Sequence, residues 1–334
     1  MKKVTLSDIA HETGYSVNTV SHALHDKSDI SEETKEIIRQ TAKNLGYIGN
    51  SSARSLRSGK SKSIAFIVSD ISNPYFSIRI KEIENWLRGT GYTVFVLNTD
   101  EDEETEKKAI IQALEKNVDG ILICPVQKSE DNIIFLEKAK VPFVLLDRRF
   151  PNRDWDYVVC DDEHSGYIAA KELIKMGHRK ILFLNGPAHI SSSRERSAGI
   201  QKAFSEYTNP DLSLAEHTVS ATFLQEEQAL ESILMEHSAC TAIITFSDMI
   251  ALQVCHVIKR MGLSVPEDVS VIGFDNIASK FYLPLMISST SSTKTSMSVT
   301  AVDILIRKIN GDNTGTHRIV LPTELVLRES TSEV

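Results

Sequence analysis

The chain has few of the features that mark secreted, membrane-spanning or disulfide-stabilised proteins. No apolar run reaches the roughly 20 residues needed to cross a bilayer. The N-terminal segment Met1–Glu12 has two lysines but no apolar h-region, so it is not a secretory signal. The cysteines are four, scattered and without a CxxC pair, which is typical of small buried hydrophobes in a reducing compartment: Cys124, Cys160, Cys240 and Cys255. We therefore expect a cytoplasmic protein with no membrane partner.

The sequence also lacks the motifs of common enzyme classes. It has no HExxH zinc motif, no Gly-rich dinucleotide fingerprint and no nucleophile elbow. Ser58-Gly59-Lys60-Ser61 resembles the end of a phosphate-binding loop, but the required first glycine would fall at Arg54. The acidic run Asp100–Glu106 lies where a helix begins, and the helix dipole explains it without a metal. We expect no enzymatic activity, no cofactor and no metal.

Basic residues are fewer than acidic residues over the whole chain, but they outnumber the acidic residues at its start. The net charge is −8, yet residues 1–62 hold ten Lys/Arg against seven Asp/Glu, a net +3 that leaves −11 for residues 63–334. Arg54, Arg57, Lys60 and Lys62 follow one another with no acidic residue among them. Affinity for phosphate is therefore expected at the N-terminal head and in the linker that follows it.

From residue 63 onward, short β-branched runs alternate with helical stretches. This alternation predicts two α/β halves, each a parallel sheet covered by helices, with a cleft between them. The predicted strands are Ser63–Asp70, Tyr92–Asn98, Gly120–Pro125, Pro142–Asp147, Tyr157–Asp161, Lys180–Asn185, Ala242–Phe246, Val269–Phe274 and Arg318–Leu327. The predicted helices are Pro74–Gly89, Glu103–Lys116, Ser129–Ala139, Glu163–Met176, Ser193–Glu206, Gln225–His237, Asp248–Met261 and Ser298–Ile309.

Ser288–Ser298 is a low-complexity stretch of serine and threonine. Such runs are usually flexible surface loops. Because a helix and a strand follow it, we favour a crossover that returns the chain to the first half.

The head, Val4–Asp26, predicts two short helices joined by a tight turn at Gly14, where a positive φ is permitted. Thr5 or Ser7 can cap the first helix, and Ser16 can cap the second, Val17–Leu24. In the second helix the apolar positions Val20, Ala23 and Leu24 face inward, at i, i+3 and i+4. Val17, Asn18 and His22 lie away from that core.

The outward residues of the second helix suit the edges of DNA bases. Asparagine can pair with adenine, histidine can donate to guanine, and valine can contact a thymine methyl. Thr19 and Ser21 suit phosphate contacts, which position a helix without reading sequence. A small helical bundle with a polar outer face would show the same spacing, so the alternative stays open on spacing alone.

The chain resembles the LacI/GalR family of bacterial repressors over essentially its whole length. The resemblance rests on several motifs in the family's order: Asp8-Ile9-Ala10, Gly14-Tyr15-Ser16, Thr19-Val20-Ser21, Asn50 with Ala53-Arg54-Ser55-Leu56, and Gly273-Phe274-Asp275. It implies that residues 50–58 form a short hinge helix in the minor groove, where Leu56 wedges between base pairs. A disordered serine-rich linker that orders only on DNA is compatible with this. The resulting DNA-binding set is Thr5, Ser16, Val17, Asn18, Thr19, Ser21, His22, Asn50, Ala53, Arg54, Leu56 and Arg57.

A second set of candidates is expected in the cleft. Open α/β sheets bind ligands at the carboxyl ends of their strands, where Asp70, Asp147, Asp161, Ser247 and Asp275 fall. Each could instead be a helix N-cap. The family's effector cores are similar to periplasmic sugar-binding proteins, and the resemblance implies further residues, among which Arg196 could clamp hydroxyls or a phosphate. Phe76 or Phe223 could as well be core packing. The predicted effector-binding set is Asn73, Tyr75, Phe76, Asp147, Asp161, Arg196, Phe223, Ser247 and Asp275.

Together these features predict a sequence-specific transcription regulator of α/β class. A helix-turn-helix head (1–45) and a hinge (46–62) precede a two-lobed, periplasmic-binding-protein-like core of parallel sheets (63–334). We expect lobe one at about 63–161 plus 290–320, and lobe two at about 162–289 plus 321–334. The expected partners are a pseudo-palindromic double-stranded operator, a second copy of the chain and a small effector. A sugar that relieves repression of carbohydrate-utilisation genes is favoured over a purine-type corepressor; a solute-binding protein is the alternative from another class.

Overall fold

The computed structural model describes residues 4–49, 59–220, 227–280, 285–292, 296–312 and 314–334. The chain forms two compact units, one up to Ser61 and one from Lys62 onward. Among the described residues, no helix is both long and apolar enough to span a membrane.

The described residues of the first unit, 4–49 and 59–61, form three helices, each begun by a polar cap: α1 (Leu6–Thr13), α2 (Val17–Leu24) and α3 (Glu32–Asn44). Thr5 caps α1 in a capping box, because its hydroxyl accepts from the Asp8 amide while its own amide donates to Oδ2 of Asp8 at 2.8 Å. Gly14 ends α1 with φ +73°, which confirms the predicted turn. The helices share a small apolar core of Ile9, Ala10, Val20, Ala23, Ile38 and Ala42.

In the second unit, lobe one contains a six-stranded, entirely parallel sheet in the order β11-β5-β4-β3-β1-β2. The strand β1, which lies between β3 and β2, is buried at every position because helices cover both faces of the sheet. The strands are β1 (Ser63–Val68), β2 (Thr93–Asn98), β3 (Gly120–Ile123), β4 (Phe143–Leu146), β5 (Tyr157–Cys160) and β11 (Arg318–Leu321). The helices are α4 (Pro74–Leu87), α5 (Glu103–Glu115), α6 (Asp131–Lys138) and α11 (Met297–Ile309).

Lobe two repeats the plan with the order β12-β10-β9-β8-β6-β7, in which only the β10–β12 pair is antiparallel. Its strands are β6 (Lys180–Asn185), β7 (Ser213–Thr218), β8 (Ala242–Thr245), β9 (Ser270–Phe274), β10 (Ser288–Ser292) and β12 (Thr323–Val326). Its helices are α7 (Asp162–Lys175), α8 (Ser191–Ser205), α9 (Glu227–Glu236) and α10 (Asp248–Arg260). The sequence analysis missed β7, whose polar composition does not alternate like a strand.

The described helices and strands change lobe three times along the chain, and two of these changes differ from the sequence prediction. Arg318–Leu327 is not one strand: Pro322 separates β11 from β12, which belong to different sheets. Proline has no amide hydrogen for a ladder, so it interrupts strand pairing.

Over its first five residues, the serine-rich stretch Ser288–Ser298 is neither a surface loop nor a crossover between the lobes. Residues 288–292 form β10 inside the second sheet, with Ser288, Ser289 and Thr290 buried. The crossover into lobe one takes place only after Ser292, since α11 packs against α4 and the first sheet. Buried hydroxyls are tolerated here because they are bonded, as Ser288 is to Thr331 Oγ1 at 2.9 Å.

Candidate functional site

The predicted base-reading helix presents the expected outer face. Ser16 caps α2 and accepts from the Thr19 amide at 3.0 Å. Val17 is 45% exposed and Asn18 is exposed, whereas His22 is half-buried. The hinge candidates lie outside the described residues: Asn50, Ala53, Arg54, Leu56 and Arg57.

The cleft of the second unit is organised around Tyr75, at the start of α4. The ring is buried, packs edge-on against Phe76 at 5.2 Å, and its hydroxyl donates to Oδ1 of Asp147 at 2.6 Å. Asp147 follows β4 and Asp275 follows β9, at the carboxyl ends of their sheets. Tyr75, Asp147, Arg196 and Asp275 all line two cavities, one of about 440 Å³, called the outer cavity below, and one of about 300 Å³.

Arg196 is held in the floor of this cleft by polar and aromatic contacts. It is buried, its Nε donates to Oδ1 of Asp162 at 2.8 Å, and its Nη1 donates to the Phe246 carbonyl at 2.5 Å. The guanidinium carbon lies 4.4 Å from the centre of the Phe274 ring. A guanidinium has five N–H donors, so these two bonds leave three for a ligand.

Two glycines allow the helices that carry Arg196 and Asp162 to approach. A Cβ on Gly199 of α8 would lie 1.8 Å from the Glu163 carbonyl oxygen, and one on Gly166 of α7 would lie 2.2 Å from the Arg196 carbonyl oxygen. Only glycine fits at such distances. The α7–α8 contact therefore fixes the position of Arg196 relative to the carboxylate that binds it.

The two cleft aspartates that follow strands have strained backbones. The φ of Asp147 is +69° and that of Asp275 is +100°, in the left-handed region where non-glycine residues are uncommon. Strain of this kind costs energy and is concentrated at ligand sites. Both residues line the cleft with Tyr75, and Asp147 accepts the hydrogen bond from its hydroxyl.

Burial controls the ionisation of the cleft acids. It raises the pKa of Asp162 to about 6, against the attraction of the Arg196 guanidinium. It also raises the pKa of Asp275 well above its ordinary value, and the nearby carboxylate of Asp147 adds to the effect. Burial therefore disfavours the charged form of both acids.

Some of the predicted effector-binding side chains are also engaged in capping helices. Asn73 and Ser247 line the outer cavity but also cap α4 and α10, accepting from the amides of Tyr75 and Ile250. Asp161 caps α7, accepting from the His164 amide at 2.9 Å, and lines a separate surface depression. Asp161 is thus a helix N-cap, which was the alternative for each of these acids in the sequence analysis. The neighbouring Asp162 lies in the cleft. Phe223 lies outside the described residues.

Three side chains that line the cleft escaped the sequence analysis. Asp162 was hidden beside Asp161. Arg79 lies one helical turn after Tyr75, with its guanidinium carbon 4.6 Å from the centre of the Tyr75 ring, and the i, i+4 spacing was the signal available. Arg148 lines the outer cavity but is neutralised, since it binds both carboxylate oxygens of Glu101 at 2.8 and 2.5 Å.

In the part of the chain that the structure describes, no three His, Cys, Asp or Glu side chains are grouped to hold a metal ion. The cleft is lined by aromatic rings, carboxylates and guanidinium groups, which can bind hydroxyls, flat rings and anions.

Residues 5–50 match the family of bacterial regulatory proteins called the lacI family, and residues 61–329 match the periplasmic binding proteins and sugar binding domain of the LacI family. The chain belongs to the LacI family. It is 32% identical over 343 residues to the HTH-type transcriptional repressor PurR of Haemophilus influenzae (strain PittEE), covering 99% of each chain. It is 30% identical to the repressor of the same name from Aliivibrio salmonicida (strain LFI1238), covering 98% of each.

Solved structures of the family share the fold of this chain. The lac repressor dimer bound to operator and the anti-inducer ONPF superposes with a TM-score of 0.84 at 26% identity, covering 99% of this chain and 100% of that one. A LacI family regulator from Enterococcus faecium with bound ribose has a TM-score of 0.71 at 26% identity, covering 81% and 99%. This LacI family member is therefore a DNA-binding transcriptional repressor with a periplasmic-binding-protein-like core, and the family's members are regulators that bind an operator and a small effector as dimers.

Proposed function

We propose that the effector is a sugar or sugar derivative that binds between the lobes and controls binding of the homodimer to a pseudo-palindromic operator of carbohydrate-utilisation genes. The observation that carries this is the convergence of Tyr75, Asp147, Arg196 and Asp275 on one small polar cleft. Carboxylates accept from vicinal hydroxyls, the free N–H groups of Arg196 donate to them, and aromatic rings pack on apolar sugar faces. Since the target is DNA, we infer a cytoplasmic location.

A thermal-shift screen of sugars, sugar phosphates and purine bases tests the ligand class. At a hundredfold excess over Kd a ligand stabilises the protein by about 2.7 kcal/mol, which is readily detected. Arg196→Ala should abolish the shift. Because that change also strips Asp162 of its partner, Tyr75→Phe is the gentler variant and should weaken binding roughly tenfold through loss of the hydroxyl that orients Asp147.

Tyr167→Phe is the matched control, since this tyrosine bonds to Glu206 on the surface of lobe two. It should bind the effector like the parent protein. Equal loss in Tyr75→Phe and Tyr167→Phe, or an undiminished shift in Arg196→Ala, would show that the cleft is not the effector site.

A purine-type corepressor is the second candidate. Three aromatic rings, those of Tyr75, Phe76 and Phe246, line the outer cavity, and a flat base can stack on such rings. Relatives about 30% identical over the whole chain carry the name repressor PurR. The same screen decides between the two: a purine shift with none from sugars favours this candidate, and a gel shift with and without the ligand shows whether it promotes or relieves operator binding.

On the DNA side, we propose that Val17, Asn18 and His22 read bases and that Thr19 and Ser21 contact phosphate, while the hinge adds Leu56 as a wedge. Leu56→Ala should reduce binding to a selected operator far more than binding to random duplex. Replacing Arg57 should lower the slope of log affinity against log salt by about one unit. Equal losses in the first case, or an unchanged slope in the second, would remove these roles.

A further inference from the structure

The helix proposed to read bases carries a polar contact that its spacing did not reveal. His22 lies one turn after Asn18 on α2, and its Nδ1 is 2.6 Å from Oδ2 of Asp29, which lies between α2 and α3. The two side chains are 31% and 57% exposed. The pair is therefore on the surface of the head, where a nucleic acid could reach the far side of the imidazole ring.

Chemistry settles which nitrogen of His22 holds the hydrogen. The Asp29 side chain is 57% exposed, and an aspartate carboxyl with the ordinary pKa of about 3.9 is ionised at neutral pH. An ionised carboxylate only accepts hydrogen bonds, so the hydrogen of this contact lies on Nδ1. In a neutral imidazole the other nitrogen, Nε2, then has a lone pair and no hydrogen.

The neighbouring charges leave this contact undisturbed. Asp26 is engaged by Lys35 at 3.0 Å and by Arg39 at 2.7 Å. His25 makes its own contact, between Nδ1 and the Ser21 carbonyl at 2.6 Å. Lys27 acts on Asp29 by charge and helps to keep it ionised. The side chain that His22 contacts is therefore Asp29, whereas Asp26 is paired with Lys35 and Arg39.

We propose that Asp29 is a specificity-determining, positioning residue: it holds His22 as the Nδ1–H tautomer, so that Nε2 accepts a hydrogen bond from a base. In the major groove, adenine N6 and cytosine N4 offer amino hydrogens, whereas guanine and thymine offer acceptors at the matching positions. His22 therefore selects adenine or cytosine at one position of each half-site, in place of the guanine that the residue type alone suggests. The inference rests on the proposed role of α2 in reading bases.

The tautomer can be measured without DNA. Nitrogen-15 NMR of the full chain at pH 8.5, well above the ordinary imidazole pKa of about 6.5, distinguishes the two neutral tautomers and the charged ring. We expect Nδ1 of His22 to show a pyrrole-type shift and Nε2 a pyridine-type shift, and Asp29→Asn to reduce this difference. A hydrogen on Nε2 of His22, alone or on both nitrogens, would overturn the proposal.

Its consequence is tested by selecting duplexes with randomised half-sites at pH 8.5, with the parent protein and three variants. His22→Ala identifies the half-site position that His22 reads, because base preference disappears at that position in this variant. We expect the parent protein to prefer adenine or cytosine there by about three- to tenfold, the value of one hydrogen bond. Asp29→Asn should lose that preference and accept guanine.

Glu36→Gln is the matched control, since it removes one exposed carboxylate of α3 without touching α2. It should raise affinity for all duplexes slightly and leave the selected base unchanged, as loss of negative charge alone would do. A parent preference for guanine, or an Asp29→Asn variant that selects the same base as the parent, would refute the role of Asp29. If no sequence is enriched by any protein, the base-reading role of α2 fails, and the proposal fails with it whatever the tautomer.

Discussion

At the residue scale, the acids around the cleft have different roles although they are the same residue type or adjacent in sequence. Asp161 and Asp162 are adjacent, yet the first caps α7 and the second binds Arg196. Asp147 and Asp275 differ from both because a positive φ directs each of them into the cleft. The chemistry of the residue type was available from the sequence, but its role depended on one backbone angle or one helical position.

Asp248 provides a prediction at this scale. It is fully buried at the start of α10, accepts from the Ile277 amide at 2.8 Å, and burial raises its pKa to about 7. A carboxyl with a raised pKa binds its proton more tightly in the folded state, so it destabilises the fold increasingly as pH rises from about 4 to 7. Asp248→Asn should therefore melt at a higher temperature than the parent at pH 8 and lose that advantage at pH 4.

The measurement is a pair of melting curves at each pH, compared as differences between variant and parent so that other titrating groups cancel. Asp154→Asn, at an exposed carboxyl, is a suitable control. A constant difference in melting temperature from pH 4 to pH 8 would contradict the linkage.

At the element scale, helix ends and helix crossings position the functional groups. Thr5 and Ser16 cap the helices of the head, as the sequence predicted, because capping depends on near neighbours alone. The α7–α8 crossing is different in kind. It depends on Gly166 and Gly199, which are 33 positions apart and meet the partner helix only in the folded lobe.

Gly199→Ala is the prediction that follows. The added methyl would meet the Glu163 carbonyl, so α8 must shift and carry Arg196 away from Asp162. We expect a loss of on the order of 1–3 kcal/mol in the free energy of unfolding and weaker effector binding. Chemical denaturation and ligand titration measure the two effects.

Gln201→Ala, at an exposed position of the same helix, should change neither quantity by more than about 0.5 kcal/mol. Parent-like stability in Gly199→Ala would mean that the close crossing is not required.

At the scale of the whole second unit, the lobes are joined by direct polar contacts as well as by the chain. Gln127 of lobe one accepts from the Ser191 amide at 2.9 Å, and Arg149 donates to Glu195 at 3.0 Å. Ser191 and Glu195 lie on α8, which also carries Arg196. The contacts at the edge of the cleft and the group on its floor therefore move together.

Arg149→Ala should shift the unit toward a more open average shape, because it removes the ion pair between the lobes. Small-angle scattering without ligand should show a larger radius of gyration, and the effector should close the variant at a higher concentration. Arg153→Ala is the matched control, since Arg153 pairs with Glu130 inside lobe one. Identical scattering from Arg149→Ala and the parent would contradict the link.

The sequence by itself determined the features that depend on near neighbours or on period: the capped helices of the head, the βαβ alternation, most element bounds, and the family motifs that identify a LacI family repressor. The tertiary structure decided those that depend on distant partners. It divided residues 318–327 between two sheets and placed the serine-rich β10 inside the second sheet. It also placed Asp162 rather than Asp161 in the cleft, and Asp29 within hydrogen-bonding distance of His22. The stability of a cap, a turn or a strand depends on residues close in sequence, so a local pattern predicts it. A contact between residues far apart in sequence forms only when the fold brings them together.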